Sequence, residues 1–333
     1  MFFRRAVERL RQSGHEVLCT SRQYREAVEL ARIKNLGLTI AGSHGGADRY
    51  DKLRMSANRT YELAEIVDRF NPAIAVSFSS PEGARVAYGL RLKNIVFNDS
   101  PHSEAVARLT IPLASKLYCP WVIPASAWDG FGISRKSIVR YHALDPAAWL
   151  KHEKPLVASQ VVKGRVLVRL EESKASYMTD GARQVQQFLD RFVEQFHGST
   201  RILVLCRYQD QIEEISARHG SRVEVLKEVV DGTELLRSVE LFIGAGGTMT
   251  AEAALLGKPT ISITPFSYHI EKYLIKAGLV RKAHSVRTLL RLTERMLSDK
   301  SYAQEQRKKA ERILAAMEDP SDRIVKAVSA LRL

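Results

Sequence analysis

Short apolar runs alternate with amphipathic helical segments along this 333-residue chain. In its first half the runs that predict strands are residues 16–20, 38–42, 73–78, 94–99 and 116–120, the last being the final strand expected there. An amphipathic helix at residues 2–13 precedes them. Two parallel strands need a crossover that is usually a helix, so this alternation is typical of parallel βαβ units. The sequence therefore predicts an α/β fold with parallel sheets.

The alternation is interrupted once, between about residues 124 and 164, by a stretch that contains Pro, Gly and Trp and one short strand-like run, SIVRY. We place a domain boundary there and expect domains at residues 1–145 and 146–333. Strands are predicted again at residues 163–170, 201–206, 223–226, 240–243 with an exit loop to 247, and 259–264, and three helices after residue 269. The chain is too long for one ordinary core, and two Rossmann-like halves fit its length.

Composition limits the class of protein. Hydrophobic residues make up 45% and charged residues 26% of the chain, which is globular composition. No apolar run approaches the ~20 residues that span a bilayer, and the N-terminus lacks the apolar core of a signal peptide. We therefore expect a cytoplasmic protein.

Three widely spaced cysteines fit neither a disulfide framework nor a zinc site, and we interpret them as small core residues on or near strands.

The formal charge of +14 favours an anionic partner: a phosphorylated ligand, an anionic membrane surface or nucleic acid. Basic residues are scattered over the predicted helices, which is also typical of a solvated surface. The predicted helix at residues 305–316 carries basic residues on its polar side, so peripheral contact with an anionic membrane remains one alternative. Nucleic acid is not an expected partner, because aromatic and basic residues are not interleaved on a strand face.

The segment from Gly244 to Glu252 has the order apolar strand, small-residue loop and alanine-rich helix. Gly244, Gly246 and Gly247 let a ligand approach the backbone, and the first N–H groups of the helix favour an anion such as phosphate. Thr248 is expected either to cap the helix or to bind a phosphate oxygen. Glu252, one turn later, suits the two hydroxyls of a ribose. The alternative is an ordinary glycine turn with a solvated Glu252.

Other candidate residues follow predicted strands. Asp99 and His102 come just after the strand at residues 94–99, at the edge where open α/β sheets bind ligands. Either side chain suits the general base that deprotonates an acceptor hydroxyl, or proton transfer at a sugar carbon. For Asp99 the alternative is a cap for the helix that begins near Pro101.

His44 precedes two glycines after the second strand, where either close approach to a ligand or a plain turn explains the pattern. Arg169 ends the first strand of the second half, where it would pair with a diphosphate or be an ordinary surface arginine. Glu171, Glu172 and Asp180 do not form a convincing metal cluster, and no Asp-x-Asp signature is present. We expect no metal and no cofactor.

Two resemblances rest on these residues. The pattern Gly-Gly-Thr-x-x-x-Glu, followed by Ala-Ala-x-x-Gly-x-Pro, resembles the donor site of glycosyltransferase-B-fold enzymes. Those enzymes include the N-acetylglucosaminyltransferase of peptidoglycan synthesis, and the related hydrolysing UDP-N-acetylglucosamine 2-epimerases share the pattern. Nearly all of the chain is also similar to a largely archaeal domain family of unknown function for which the glycosyltransferase-B fold is expected. The residues that carry this similarity are Gly14–Val17, His44–Gly46, Phe97–His102, Glu104-Ala105, Arg108–Thr110, Gly246–Met249 and Glu252–Gly257.

The resemblance implies two Rossmann-like domains that face a cleft. It also implies a difference, since relatives begin with a strand and a glycine- or histidine-containing loop, whereas this sequence enters at the helix that follows. That strand is central in such a sheet, so we expect the N-terminal domain to lack it, and either an upstream segment or another segment to fill the gap.

The resemblance favours a metal-independent glycosyltransferase-like protein. Its C-terminal domain would bind a nucleoside-diphosphate sugar, with UDP as the expected nucleotide, and its N-terminal domain would bind an acceptor of unknown identity. One alternative is an enzyme like UDP-N-acetylglucosamine 2-epimerase, which needs acid and base groups but no acceptor. The other is a nucleotide-sugar-binding protein without catalysis.

Overall fold

The computed structural model describes residues 1–46, 48–154, 156–170, 181–206 and 208–330. The chain forms two compact units. The first comprises Met1–Ala148 together with the C-terminal segment that begins at Glu318, and the second comprises Trp149–Met317. The short helix α6 (Ala147–Leu150) contains the division; the other helices are numbered around it in chain order.

The first unit alternates strands with helices, as the sequence predicts. Its elements are α1 (Arg4–Gln12), β1 (Thr20–Gln23), α2 (Arg25–Ile33), β2 (Thr39–Ser43), α3 (Arg49–Phe70), β3 (Ile74–Phe78), α4 (Pro81–Gly89), β4 (Lys93–Phe97), α5 (Glu104–Thr110), β5 (Lys116–Pro120), β6 (Ile138–Tyr141) and, from the C-terminal segment, α14 (Pro320–Ser329). All of its strand pairs are parallel, but they form two sheets, β1-β2 and β3-β4-β5-β6. Helices α1 and α14 contact each other. The segment that contains α14 therefore belongs to the first unit and not to the domain predicted at residues 146–333.

Two strand predictions in this unit are wrong. The strand expected at residues 16–20 lies at Thr20–Gln23, because pairing with β2 begins where Thr20 meets Thr39. The apolar residues before Thr20, Val17 to Cys19, are half-buried and lie outside the strand. The run at 116–120 is not the final strand, because β6, which contains most of the SIVRY run, pairs with β5 along its whole length.

The second unit contains one six-stranded parallel sheet in the order β12-β11-β10-β7-β8-β9. Its elements are β7 (Arg165–Arg169), α7 (Gly181–Phe196), β8 (Arg201–Leu205), α8 (Gln209–His219), β9 (Glu224–Leu226), α9 (Gly232–Ser238), β10 (Leu241–Gly244), α10 (Thr248–Leu255), β11 (Thr260–Ser262), α11 (His269–Lys276), β12 (Arg281–Lys282), α12 (Val286–Ser298) and α13 (Lys300–Ala316).

Strand β7 lies in the middle of this sheet. Val166 and Val168 belong to one apolar cluster and Leu167 to another, so alternate side chains of the strand are buried in two separate clusters. Burial of successive residues on both sides is typical of an interior strand of a parallel sheet. Its first residue pairs with β8, and its later residues pair with both β8 and β10.

The end of the chain is more divided than the three helices expected after residue 269. Up to residue 330, where the described part of the chain ends, the structure has four helices, α11 to α14, and the short strand β12 between the first two. Asp299 separates α12 from α13, because its side chain accepts hydrogen bonds from the backbone N–H groups of Ser301 and Tyr302 and so begins a new helix. Within the described ranges, no helix is both long and apolar enough to cross a bilayer.

The cysteines lie on or near strands, as expected. Cys119 in β5 and Cys206 after β8 are buried, and burial raises the pKa of each thiol to about 11. Cys19, just before β1, is half-buried, and burial raises the pKa of its thiol as well. All three thiols are free.

Lys258, between α10 and β11, is a buried cationic side chain, with only 2% of its surface exposed. Its Nζ donates to the carbonyl oxygens of Arg237 at 2.8 Å and Val239 at 2.6 Å. Burial, with additional repulsion from Arg307 and Arg237, lowers the pKa of this amine from 10.5 to about 7.

This buried amine predicts a pH-dependent stability. Between about pH 7 and about pH 10 the unfolded chain holds the Lys258 proton and the folded chain does not, so the free energy of unfolding rises with pH by up to about 1.4 kcal/mol per pH unit. Below that window both states hold the proton, so Lys258 no longer makes the free energy of unfolding change with pH. The free energy of unfolding is measured in urea at a series of pH values. Lys258→Met is expected to reduce the slope of this free energy against pH, whereas Lys163→Met, at an exposed lysine, is expected to retain it. Equal slopes for Lys258→Met and the unsubstituted protein would contradict this account.

Candidate functional site

In the second unit, the loop between β10 and α10 has the strand-loop-helix form that the sequence predicts. β10 ends at Gly244, and the loop continues through Gly246 and Gly247, whose φ angles are +100° and +78°. Residues with a side chain rarely adopt such φ angles, so glycine is required at both positions. Gly247 and Thr248 are exposed, which leaves the start of the helix accessible to a ligand.

Gly244 is needed for a different reason. A Cβ atom there would lie 2.5 Å from Thr250 Oγ1 and 2.6 Å from the ring edge of Phe242. The Thr250 hydroxyl in turn donates to the Gly246 carbonyl at 3.0 Å, which fastens the loop to the first turn of α10. Because residue 244 has no side chain, α10 can begin close to the end of β10.

Thr248 is the first residue of α10, and the capping position is occupied by Gly247 without a side-chain hydrogen bond. The alternative in which Thr248 caps the helix is therefore wrong. The first backbone N–H groups of an α-helix have no partner within the helix, and the helix dipole makes this end favourable for an anion. The exposed Thr248 hydroxyl lies at that end.

Glu252 lies one turn further along α10 and is only 8% exposed, so the alternative of a solvated carboxylate is wrong. Its Oε1 accepts a hydrogen bond of 3.0 Å from Trp149 Nε1 and one of 2.5 Å from Thr233 Oγ1. Burial raises the pKa of this carboxyl group, and the two donors partly oppose the shift. Neither donor can be predicted from the sequence, because nothing local links Trp149 or Thr233 to position 252.

Arg169 lies beside the loop, because the last residue of β7 pairs with Gly244 at the end of β10. The carbonyl of Arg169 accepts a hydrogen bond of 3.1 Å from the N–H of Ala245. Its guanidinium is half-buried and donates to the carbonyl oxygens of Leu205 and Cys206 at the end of β8. A positive charge is thus held at the same sheet edge as the glycine loop.

In the first unit, Asp99 follows β4 and is half-buried, with its Oδ1 accepting a 2.7 Å hydrogen bond from Ser100 Oγ. Helix α5 begins at Glu104 after Ser103, and no side chain caps it. The alternative in which Asp99 caps this helix is therefore wrong. His102 is half-buried in the turn between β4 and α5, so both candidates lie at the carboxyl edge of the sheet.

The structure adds two residues that the sequence analysis missed. Asp145, after β6, is 4% exposed, and its carboxyl group lies close enough to Asp99 to interact with the charge of that side chain. The fully buried Tyr141 donates its hydroxyl to Asp145 Oδ1 at 2.5 Å. Burial, followed by the charge of Asp99, raises the pKa of the Asp145 carboxyl well above its ordinary value, and burial likewise raises that of Tyr141.

Burial and the neighbouring carboxyl group of Asp99 both favour the protonated form of Asp145. Asp145 is the more deeply buried of the two residues, and Asp99 lies nearer to solvent. The sequence signal for Asp145 is Leu-Asp-Pro after the SIVRY run, within the irregular stretch that predicts a domain boundary.

His44 follows β2, and its Nδ1 accepts a 3.0 Å hydrogen bond from the N–H of Gly46, while its ring packs on Tyr24. Gly45 has a packing reason, because a Cβ atom there would lie 2.6 Å from the Cα of Lys52 in α3. The local turn thus accounts for both glycines.

No group of three or more His, Cys, Asp or Glu side chains could hold a metal ion within the part of the chain that the structure describes. Glu171, Glu172 and Asp180, considered in the sequence analysis, lie outside the described residues.

Comparison with known proteins agrees with this architecture. A family profile described as "Protein of unknown function (DUF354)" matches residues 1–331. The uncharacterized protein MJ0665 of Methanocaldococcus jannaschii is 26% identical over 305 residues, which are 88% of this chain and 87% of that protein.

Solved structures share the fold over nearly the whole chain. UDP-GlcNAc 2-epimerase from Neisseria meningitidis, bound to UDP-GlcNAc, matches with a TM-score of 0.71 and 13% identity, covering 99% of this chain and 96% of that one. The spinosyn forosaminyltransferase SpnP matches with a TM-score of 0.62 and 15% identity, covering 98% and 94%. At this identity the likeness shows the fold alone, which is the mixed α/β glycosyltransferase-B fold that the sequence predicts.

Proposed function

Because the chain belongs to the DUF354 family of proteins of unknown function, we propose its function from its own residues: it binds a nucleoside-diphosphate sugar through the second unit. UDP is the proposed nucleotide, because the structural neighbour from Neisseria meningitidis is bound to UDP-GlcNAc. Transfer of the sugar to an acceptor bound by the first unit is the proposed reaction.

The observation that carries this proposal is the β10–α10 loop together with Glu252. The loop presents the start of a helix at an exposed position, where phosphate binds well. The carboxylate one turn later is held in place by Trp149 and Thr233, so it is already oriented when a ligand arrives. A diphosphate on the loop and ribose hydroxyls near Glu252 would use both features of one short segment.

The same loop would assist departure of the diphosphate. When a sugar leaves its nucleotide, negative charge develops on the diphosphate, and fixed donors that face this charge stabilise the transition state. Here those donors are the first N–H groups of α10 and the Thr248 hydroxyl. The nearby Arg169 adds a positive charge, so the chain's own groups supply the stabilisation that transfer requires.

A second candidate, epimerisation of the sugar, is favoured by the Asp99–Asp145 pair. Inversion at a sugar carbon requires one group that removes a proton and one that returns it. A protonated Asp145 beside Asp99 provides a stored proton at the sheet edge, with His102 in the adjoining turn. In the proposed transfer reaction, Asp99 is instead the base that deprotonates the acceptor hydroxyl.

Nucleotide binding is tested by titrating UDP into the protein in a calorimeter. Glu252→Gln is expected to weaken binding about fivefold, a loss of about 1 kcal/mol, because an amide nitrogen replaces one accepting oxygen. The remaining amide oxygen can still accept from Trp149 and Thr233, so the variant should fold. Glu213→Gln, an exposed site on α8, is the matched control and should bind UDP unchanged. Equal affinities for all three proteins would refute the assignment of Glu252.

The two candidate reactions are separated by incubating the protein with UDP-GlcNAc alone and analysing the sugar. The transferase proposal expects saturable binding with an unaltered sugar, since no acceptor is present. Release of N-acetylmannosamine would contradict it and establish the epimerase. In that event Asp145→Asn, which cannot carry the stored proton, should lower turnover about a hundredfold or more. Asp129→Asn, an exposed site in the same unit, is the control.

A further inference from the structure

Helix α3 of the first unit carries an exposed apolar stripe. Among the described residues, the three most exposed large apolar side chains are Tyr50 at 71%, Leu53 at 69% and Tyr61 at 67%, and all of them lie on this helix. With the exposed Ala57 they follow one another at intervals of three, four and four residues. Such spacing places side chains along one side of a helix, so these four residues form one stripe about 16 Å long, the α3 stripe.

The opposite side of α3 is already packed. Leu63 is buried in a cluster with Ala41 of β2 and Val86 of α4, and the buried Arg59 donates to the Ala41 carbonyl at 2.6 Å. A surface helix of a globular protein normally buries one apolar side and turns polar residues to solvent. Helix α3 instead has apolar side chains on both sides. A contiguous exposed apolar patch of this kind marks an interaction surface.

The charges of α3 are distributed unequally about Ala57. Before Ala57 the helix has three basic residues and one acidic residue, and after it, apart from the buried Arg59, it has one basic and three acidic residues. In chain order these are Arg49, Asp51, Lys52 and Arg54, and then Glu62, Glu65, Asp68 and Arg69. The first half is net positive and the second half is net negative. A surface of one charge sign would match only one half, whereas an antiparallel copy of the same helix matches both.

The exposed area of the α3 stripe is of the size that a dimer interface needs. Its two tyrosines and one leucine together expose roughly 400 Å² in each copy, since a tyrosine side chain presents about 200 Å² when it is free. Two stripes therefore supply roughly 800 Å² of apolar surface at the centre of an interface. With the charged side chains on either side, the buried total reaches the range of about 1,200–2,000 Å² that is typical of stable interfaces.

We infer that the α3 stripe docks on the α3 stripe of a second copy of this chain, so that the two helices run antiparallel about a two-fold axis at Ala57. The small side chain at the axis lets the helices approach closely. In a two-fold interface each contact occurs twice, so Tyr61 of either copy packs on Leu53 of the other. This inference goes beyond the proposed nucleotide site and does not depend on it.

The same arrangement brings opposite charges together beside the stripe. Glu65 lies next to it, because its carboxylate interacts with the Tyr61 hydroxyl of the same helix. Arg54 follows Leu53, and at about 100° per residue its side chain lies on the same side of the stripe as Glu65. The two-fold axis therefore turns Arg54 of each copy towards Glu65 of the other.

The dimer is tested by sedimentation equilibrium of the full chain at micromolar concentrations, where the expected mass is twice the 37.4 kDa of one chain. Leu53→Asp is expected to raise the dissociation constant about a hundredfold or more, because it buries a carboxylate in the apolar centre of the interface. Leu109→Asp, at an exposed leucine on α5, is the matched control and should leave the dissociation constant unchanged.

Two further variants test the antiparallel arrangement. Arg54→Glu is expected to weaken the dimer about fivefold, and adding Glu65→Arg to the same chain should restore it, because the two charges then exchange signs across the interface. Ala57→Cys should form a covalent dimer on oxidation, since position 57 meets itself at the axis. Leu109→Cys retains the same three native cysteines and should not form one.

Association that is lost in Leu53→Asp and kept in Leu109→Asp, with crosslinking through position 57, would support the inference. A monomer at about 100 µM, or a dimer that Leu53→Asp leaves intact, would overturn it. Association that depends on Leu53 but shows neither crosslinking at position 57 nor rescue by Glu65→Arg would overturn the antiparallel arrangement. A monomer that binds phosphatidylcholine vesicles, and loses this binding in Leu53→Asp, would assign the stripe to a lipid surface instead.

Discussion

The pairing of β7 with both β8 and β10 is the interaction on which the rest of the second unit depends. It places Arg169 beside Gly244 and thereby brings a positive charge to the glycine loop. It also aligns the ends of β7, β8 and β10 at one edge, where the half-buried Arg169 guanidinium binds the carbonyls at the end of β8. Without a central strand the helix start at Thr248 would have no fixed position relative to that charge. In the first unit, by contrast, the strands form two separate sheets, β1-β2 and β3-β4-β5-β6.

Two buried carboxyl groups illustrate how burial and partners divide chemical roles. Glu252 is held by two donors from elsewhere in its own unit, which fixes its orientation and suits it to recognition. Asp145 instead faces another carboxyl group, Asp99, which favours its protonated form and suits it to proton storage. Burial raises the pKa of both groups, and the neighbouring atoms decide what each can do.

Local patterns in the sequence predicted most of the fold and the centre of the candidate site. Strand β10, its glycine loop and helix α10 could be predicted because small residues, backbone angles and helix start are all local properties. The contact of Glu252 with Trp149 spans 103 positions, and no local pattern reports such a contact. The start of strand β1 could not be predicted, because an apolar run does not show where pairing with a neighbouring strand begins. Asp145 was missed because its strand, β6, is short and lies in an irregular stretch.

The central claim, that the β10–α10 loop binds the diphosphate of a nucleotide, is tested most directly by a crystal structure of the protein with UDP. The account predicts phosphate oxygens within about 3.2 Å of backbone N–H groups at Gly247 and Thr248, with the ribose hydroxyls at Glu252. Well-defined UDP bound elsewhere, with the loop and Glu252 untouched, would contradict it.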